Sequence, residues 1–311
     1  MGKRLMIGLG MATVVCFTAP VFGAEWTLEA AQEQARAGNP DAQYALGAKF
    51  WYGDGVAQDQ AEALWWFRLA AEQGQADGAY GLAYGLQTGQ GTQRNSVEAL
   101  RFYEIAAKHG SLDANYALAG MYQTGEGCVK DIGVALRLLR ASAERGHGLS
   151  QLRLGNILYK GELAPKDWTE ASRLYEQAAE QGLADAQYAI GRVYGTGAGR
   201  ERNLGKAARF LKLAADQGHL EAQFHFACIY YLRSKTVQEG GQAAQYMTLA
   251  ATRGHREAQY TLGMMYVDGT VVPRNLTEAA RWLKLAADQG HVAAGLLYRT
   301  LPAAYTRPKE P

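Results

Sequence analysis

Ala42–Asp77 reads AQYALGAKFWYGDGVAQDQAEALWWFRLAAEQGQAD, and most of the chain consists of copies of it. A step of 36 residues from Ala42 lands on Gly78, Ala114, Ser150, Ala186, Ala222, Ala258 and Ala294, with no insertion or deletion. One column of this frame holds Ala63, Ala99, Ala135, Ala171, Ala207, Ala243 and Ala279. Another holds Gly74, Gly110, Gly146, Gly182, Gly218, Gly254 and Gly290, with Gly38 one step earlier. A fixed period of this length marks a solenoid, propeller or array.

Each copy reads as two helices. Helix A spans roughly Ala42–Tyr52, with Ala42, Leu46 and Phe50 four apart on one face. A Gly-x-Gly turn follows at Gly53/Gly55, Gly89/Gly91, Gly125/Gly127 and Gly197/Gly199. Glycine suits a helix end that reverses the chain through positive φ. Helix B starts at a polar column: Asp59, Asn95, Asp131, Asp167, Asn203, Glu239 and Asn275. Asp and Asn side chains accept from orphaned backbone N–H groups at a helix start. Glu62, Glu98, Glu170 and Glu278 stand three residues on, where a capping box would place them. Helix B buries Ala63, Trp66, Phe67, Ala70 and Ala71, and the recurrent glycine after it reads as a terminator.

The pattern A-x-x-L-G-x-x-Y, then G-x-G, then D-x-x-x-A-x-x-W-Y/F-x-x-A-A-x-x-G resembles the Sel-1-like repeat, a relative of the tetratricopeptide repeat. The resemblance covers about Gly38–Leu301. It implies an all-α fold: a right-handed α/α superhelical solenoid of about sixteen helices, used as a protein–protein interaction scaffold.

The frame divides the chain. Residues 1–23 read as a secretory signal peptide: Lys3 and Arg4, an apolar Leu5–Phe17, and Val21-Phe22-Gly23 for cleavage after Gly23. Residues 24–41 form a capping helix, and seven repeats fill 42–293, starting at 42, 78, 114, 150, 186, 222 and 258. Residues 294–301 form a C-terminal capping helix ended by Pro302, and 302–311 a disordered tail. The sixth copy departs most: Tyr231–Lys235 lacks the turn glycines, and Gly240-Gly241 falls in helix B. A longer or irregular helix A is expected there. Cleavage would place the mature chain, without a membrane span, in the periplasm or outside a Gram-negative cell.

Removing Lys3 and Arg4 leaves thirty basic and thirty acidic side chains, a net charge of zero. Neutrality argues against a nucleic-acid partner. Reactive groups are scarce. His147, His219, His255 and His291 all follow the recurrent glycine, a repeat apart, and cannot converge on one ion. Cys128 and Cys228 lie almost three repeats apart, beyond disulfide reach. The cysteine-rich branch of the family has been linked to penicillin binding and β-lactam hydrolysis. No serine here has lysine three residues on, as serine β-lactamases require. No catalytic residue, metal site, cofactor or small-molecule substrate is expected. A β-lactam-binding envelope enzyme and a secreted factor binding host proteins are the alternative readings.

Surface remains. The resemblance implies that helix A lines a concave groove. Its outward columns are those of Ala45, Ala48 and Tyr52, and they turn basic mid-chain at Arg153, Lys160 and Arg192. With Asn156, Tyr52 and Tyr84 these residues are expected to hold an acidic partner segment, since arginine grips carboxylates bidentately. Trp51 and Trp65, outside the aromatic columns, are candidate anchors.

Overall fold

A computed structural model describes residues 27–232 and 237–306. The expected signal peptide lies outside the described residues. Most of the described helices start at a side-chain cap, and the described residues form two compact units dividing at Leu138/Leu139.

The first unit holds α1 (Leu28–Arg36), α2 (Pro40–Tyr52), α3 (Gln60–Glu72), α4 (Ala76–Thr88), α5 (Ser96–Lys108) and α6 (Leu112–Thr124). The division falls within α7 (Ile132–Glu144). From α1 to α6 each helix packs on the next in sequence, the pattern of an α/α solenoid. The second unit continues with α8 (Gly148–Lys160), α9 (Trp168–Glu180), α10 (Ala184–Thr196), α11 (Leu204–Asp216) and α12 (Leu220–Tyr231). Then come α13 (Val237–Thr252), α14 (Arg256–Asp268), α15 (Leu276–Asp288), α16 (Val292–Thr300) and the single turn α17 (Ala303–Thr306). It too packs neighbour on neighbour.

The glycine columns do what positive φ demands. Gly53, Gly89, Gly125, Gly161, Gly197 and Gly269 end their A helices left-handed, at φ between 73° and 84°. The second turn glycine answers to sterics as well: a Cβ on Gly91 would press into the Gln60 carbonyl at the start of the preceding B helix. Packing also needs bare backbone at Gly47 and Gly81, where a Cβ would meet the ring of Phe67 at 2.7 and 2.9 Å. Phe67, 1% exposed, fills the space those glycines leave.

Four expectations need revision. The A helices begin two residues earlier than the 42-based frame, at Pro40 and its equivalents. The capping boxes are half made. Asp59 and Asn95 accept from the N–H of Glu62 and Glu98. Their own N–H groups, however, donate to the Phe50 and Leu86 carbonyls at 2.9 and 2.8 Å. That bond ties the start of helix B to the preceding A helix, so the glutamates turn elsewhere: Glu62 accepts from the Trp66 indole. In the sixth repeat the long helix is B, not A. Helix α12 has 12 residues and α13 has 16, and Gly240 lies within α13 where a Cβ would collide with Val271 at 2.4 Å. Finally, Ala303–Thr306 is helical and packs on α15, so the tail does not begin at Pro302.

A column that the sequence reading overlooked ties the repeats together. Gln43, Gln151, Gln187, Gln223 and Gln259 are all at most 5% exposed. Each Nε2 donates to the carbonyl eight residues earlier, on Ala35, Ala143, Ala179, Ala215 and Ala251. The Oε1 of Gln43, Gln151, Gln187 and Gln259 accepts from Gln73, Gln181, Gln217 and Gln289 thirty residues later, at 2.7–2.8 Å. Among the described residues no buried side-chain polar atom lacks a partner, as the cost of an orphaned amide requires.

Candidate protein-binding groove

Histidine side chains cap four of the second unit's A helices, α8, α12, α14 and α16, whereas α10 starts at Leu183 without a side-chain cap. His219, His255 and His291 precede α12, α14 and α16, and each Nδ1 accepts a backbone N–H at 3.1 Å. Each Nε2 faces a carboxylate one repeat back: Asp185 at 3.4 Å, Glu221 at 3.3 Å and Glu257 at 3.0 Å. Each ring also stacks on an aromatic side chain of the preceding A helix, Tyr188, Phe224 or Tyr260, at 4.3–4.5 Å. The histidines are therefore loop residues that join one A helix to the next. The His219 bond holds the Asp185 carboxyl below the usual aspartate range.

Above this framework α8, α9 and α10 enclose a cavity of about 390 Å³. Three expected site residues, Asn156, Lys160 and Arg192, line it together. The walls are aromatic: Tyr159, Tyr175 and Tyr188. Tyr175 donates to Asn156 Oδ1 at 2.8 Å and so orients that amide. Burial pushes the Tyr175 and Tyr188 hydroxyls up from their ordinary range, so both stay neutral. The Arg192 guanidinium lies 5.9 Å from the Tyr188 ring centre, a cation–π arrangement. Arg192 and Lys160 are exposed, and among the described residues neither forms an ion pair. Asp185 also borders the cavity but is held by His219.

The remaining expected residues lie elsewhere. Arg153 is half-buried on α8 and is not among the residues lining this cavity. In the first unit, Trp51 is 5% exposed, with its ring 6.1 Å from both Phe67 and Tyr84. It is a core residue, which removes it as a surface anchor. Ala45 and Ala48 are likewise buried, so the outward face of α2 shrinks to Tyr52, 49% exposed. Tyr84 is half-buried. Trp65 is 52% exposed on α3, a B helix, standing edge-on to Trp66 at 4.5 Å. Reading the Tyr159 and Tyr188 columns for aromatic content would have found the cavity walls.

No curated protein matches the sequence at a significant level. The Sel1 repeat model matches seven consecutive stretches: 40–75, 76–111, 112–147, 148–183, 184–219, 220–255 and 256–291. The chain belongs to the Sel1-repeat family. These stretches start with the A helices, in step with the observed hairpins. Among solved structures, the protective antigen c5321 of uropathogenic Escherichia coli is similar, with a TM-score of 0.74 and 32% identity over 87% of this chain. The alignment spans 58% of that antigen's chain. A Sel1 repeat protein from Oxalobacter formigenes has a TM-score of 0.55 and 25% identity, covering 88% of this chain and 90% of its own. Sel1 repeats generally mediate protein–protein interaction and are generally non-catalytic. Among the described residues there is no cluster of metal-ligating side chains, and no helix is long and apolar enough to cross a membrane.

Proposed function

We propose that this Sel1-repeat chain is a non-enzymatic scaffold of the bacterial envelope that holds a segment of a partner protein along α8, α10 and α12. One observation carries the reading: Arg192 and Lys160 are exposed cations without carboxylate partners among the described residues, at an aromatic-walled cavity. An aspartate or glutamate of the partner would supply the missing charge, with Asn156 donating its amide to the same group. Charge-assisted bonds of this kind are stronger than neutral ones. The test is chemical cross-linking in the native envelope followed by affinity measurement on the captured partner. Arg192→Glu with Lys160→Glu is expected to weaken binding at least tenfold while leaving the thermal midpoint unchanged. Unaltered affinity would remove the groove from the interaction.

Export is supported by the leader-like residues 1–23 and by likeness to a protective antigen. Mass spectrometry of the mature N-terminus is expected to find Ala24 first. Nitrocefin hydrolysis by the purified chain would favour the enzymatic alternative instead.

A further inference from the structure

The fifth repeat departs from the chain's own 36-residue columns at Gly195 on its A helix. The column through residue 195 holds Trp51, Gln87, Gln123, Tyr159, Tyr231 and Val267, each a sizeable side chain. Only residue 195 is glycine, and its φ is not among the positive ones, so no turn or backbone conformation requires it. Nor does close packing: a Cβ there would find nothing nearer than the Ala207 Cβ, at 4.0 Å. Gly191, one helical turn away, differs. A Cβ on it would meet Leu211 Cγ at 2.8 Å. The glycine at 195 leaves space that the neighbouring helices do not take up.

That space is a second cavity of about 350 Å³, opening beside the first. Its lining includes Gly195, Leu204, Leu211, Cys228 and Ile229, an apolar floor, together with the polar side chains of Thr196, Arg202 and His225. Burial pushes the Cys228 thiol up to about 11, so that side chain is neutral at neutral pH. The charge in the lining comes from Arg192 and from Arg202, whose Nε donates to the Gly195 carbonyl at 3.0 Å. Arg192 lines both cavities. A ligand whose carboxylate meets Arg192 would thus carry its neighbouring side chain to the mouth of an apolar hole.

We infer that the void left by Gly195 is a side-chain pocket for a leucine-, methionine- or phenylalanine-sized residue. The partner segment is then bipartite: an acidic residue for Arg192 and a large apolar residue within a few positions of it. This rests on the groove reading above and adds to it the second half of the recognised motif. Burying one such side chain is worth about tenfold or more in affinity.

Selection of random dodecapeptides on phage against the full-length chain tests the inference. Peptides from the wild type are expected to carry Asp or Glu with Leu, Met or Phe within about four residues. The best is resynthesised and its Kd measured by fluorescence polarisation. Gly195→Leu, which fills the hole from its own helix, is expected to weaken it about tenfold. Changing the peptide's apolar residue to Ala should cost the wild type the same factor and the variant nothing further. Gly195→Tyr, with the side chain found at 159 and 231, is the second variant should the first fold poorly. Acid-bearing peptides without apolar enrichment, or equal Kd for wild type and both variants, would overturn the pocket and leave the groove standing. Selected peptides without acid, indifferent to Arg192→Glu, would overturn the groove reading itself.

Discussion

The first and fifth repeats share one frame, and among their differences one stands out, Trp51 against Gly195. Trp51 sits 5% exposed between Phe67 and Tyr84 and seals its repeat. Gly195 leaves the matching space open beside an unpaired arginine. In an array of near-identical hairpins, the shared positions explain why the chain folds, and a departure with no structural reason points to use. Helix α10 sharpens the contrast. Gly191 is demanded by Leu211, while Gly195, four residues on, is demanded by nothing nearby.

The comparison can be broken in order of expected effect. Trp51→Gly makes the first repeat imitate the fifth. It should cost about 3–5 kcal/mol, the usual range for truncating a buried tryptophan, read as a lower urea midpoint. Gly191→Leu overpacks against Leu211 and should cost about 1–3 kcal/mol by the same measurement. Gln187→Leu should cost about 1–3 kcal/mol, because it removes two buried hydrogen bonds, to the Ala179 carbonyl and from the Gln217 amide. Gly195→Ala should instead stabilise the chain by about 0.5–1 kcal/mol, since alanine is the better helix former. A loss there would mean the open position has a structural reason after all.

The smallest effect is expected from pH. The His219 bond depresses the Asp185 carboxyl, so its contribution to stability is complete above the ordinary aspartate value of about 3.9. It is lost as pH falls through the lower folded value. Thermal melts between about pH 5 and about pH 3 should therefore decline less steeply for Asp185→Asn than for the wild type. Parallel declines would show that this junction does not report on the carboxylate.

Local signals were readable in advance. The left-handed glycines and the Asp/Asn caps depend on residues within one turn of each other, and the 36-residue period is visible because it repeats them. The faces of helix A were harder to assign. Trp51 and Tyr52 are adjacent, and a rotation of about 100° per residue separates a core ring from an exposed one. In the first repeat both Leu46 and Ala48 are buried, so α2 has no clean polar side to read. The capping boxes were half legible, because the competing acceptor for the Asp59 N–H is the Phe50 carbonyl. The buried glutamines escaped notice because Gln normally reads as surface, and the partners that satisfy them lie up to thirty residues away. At the site, Arg192, Lys160 and Asn156 were legible as a polar stripe. The adjoining hole was not, since it is made by a side chain that is absent.

The buried amides also govern how such a chain can be edited. Excision of residues 184–219 would bring Gln223 to the Ala179 carbonyl in the register Gln187 holds now, and Gln217 would leave along with Gln187. A cut made on this frame removes donors and acceptors in matched sets, whereas a cut of any other length strands an amide inside. Lengthening or shortening by whole hairpins is thus the inexpensive evolutionary route, and it lets a lineage change the reach of its binding face without redesigning the interior.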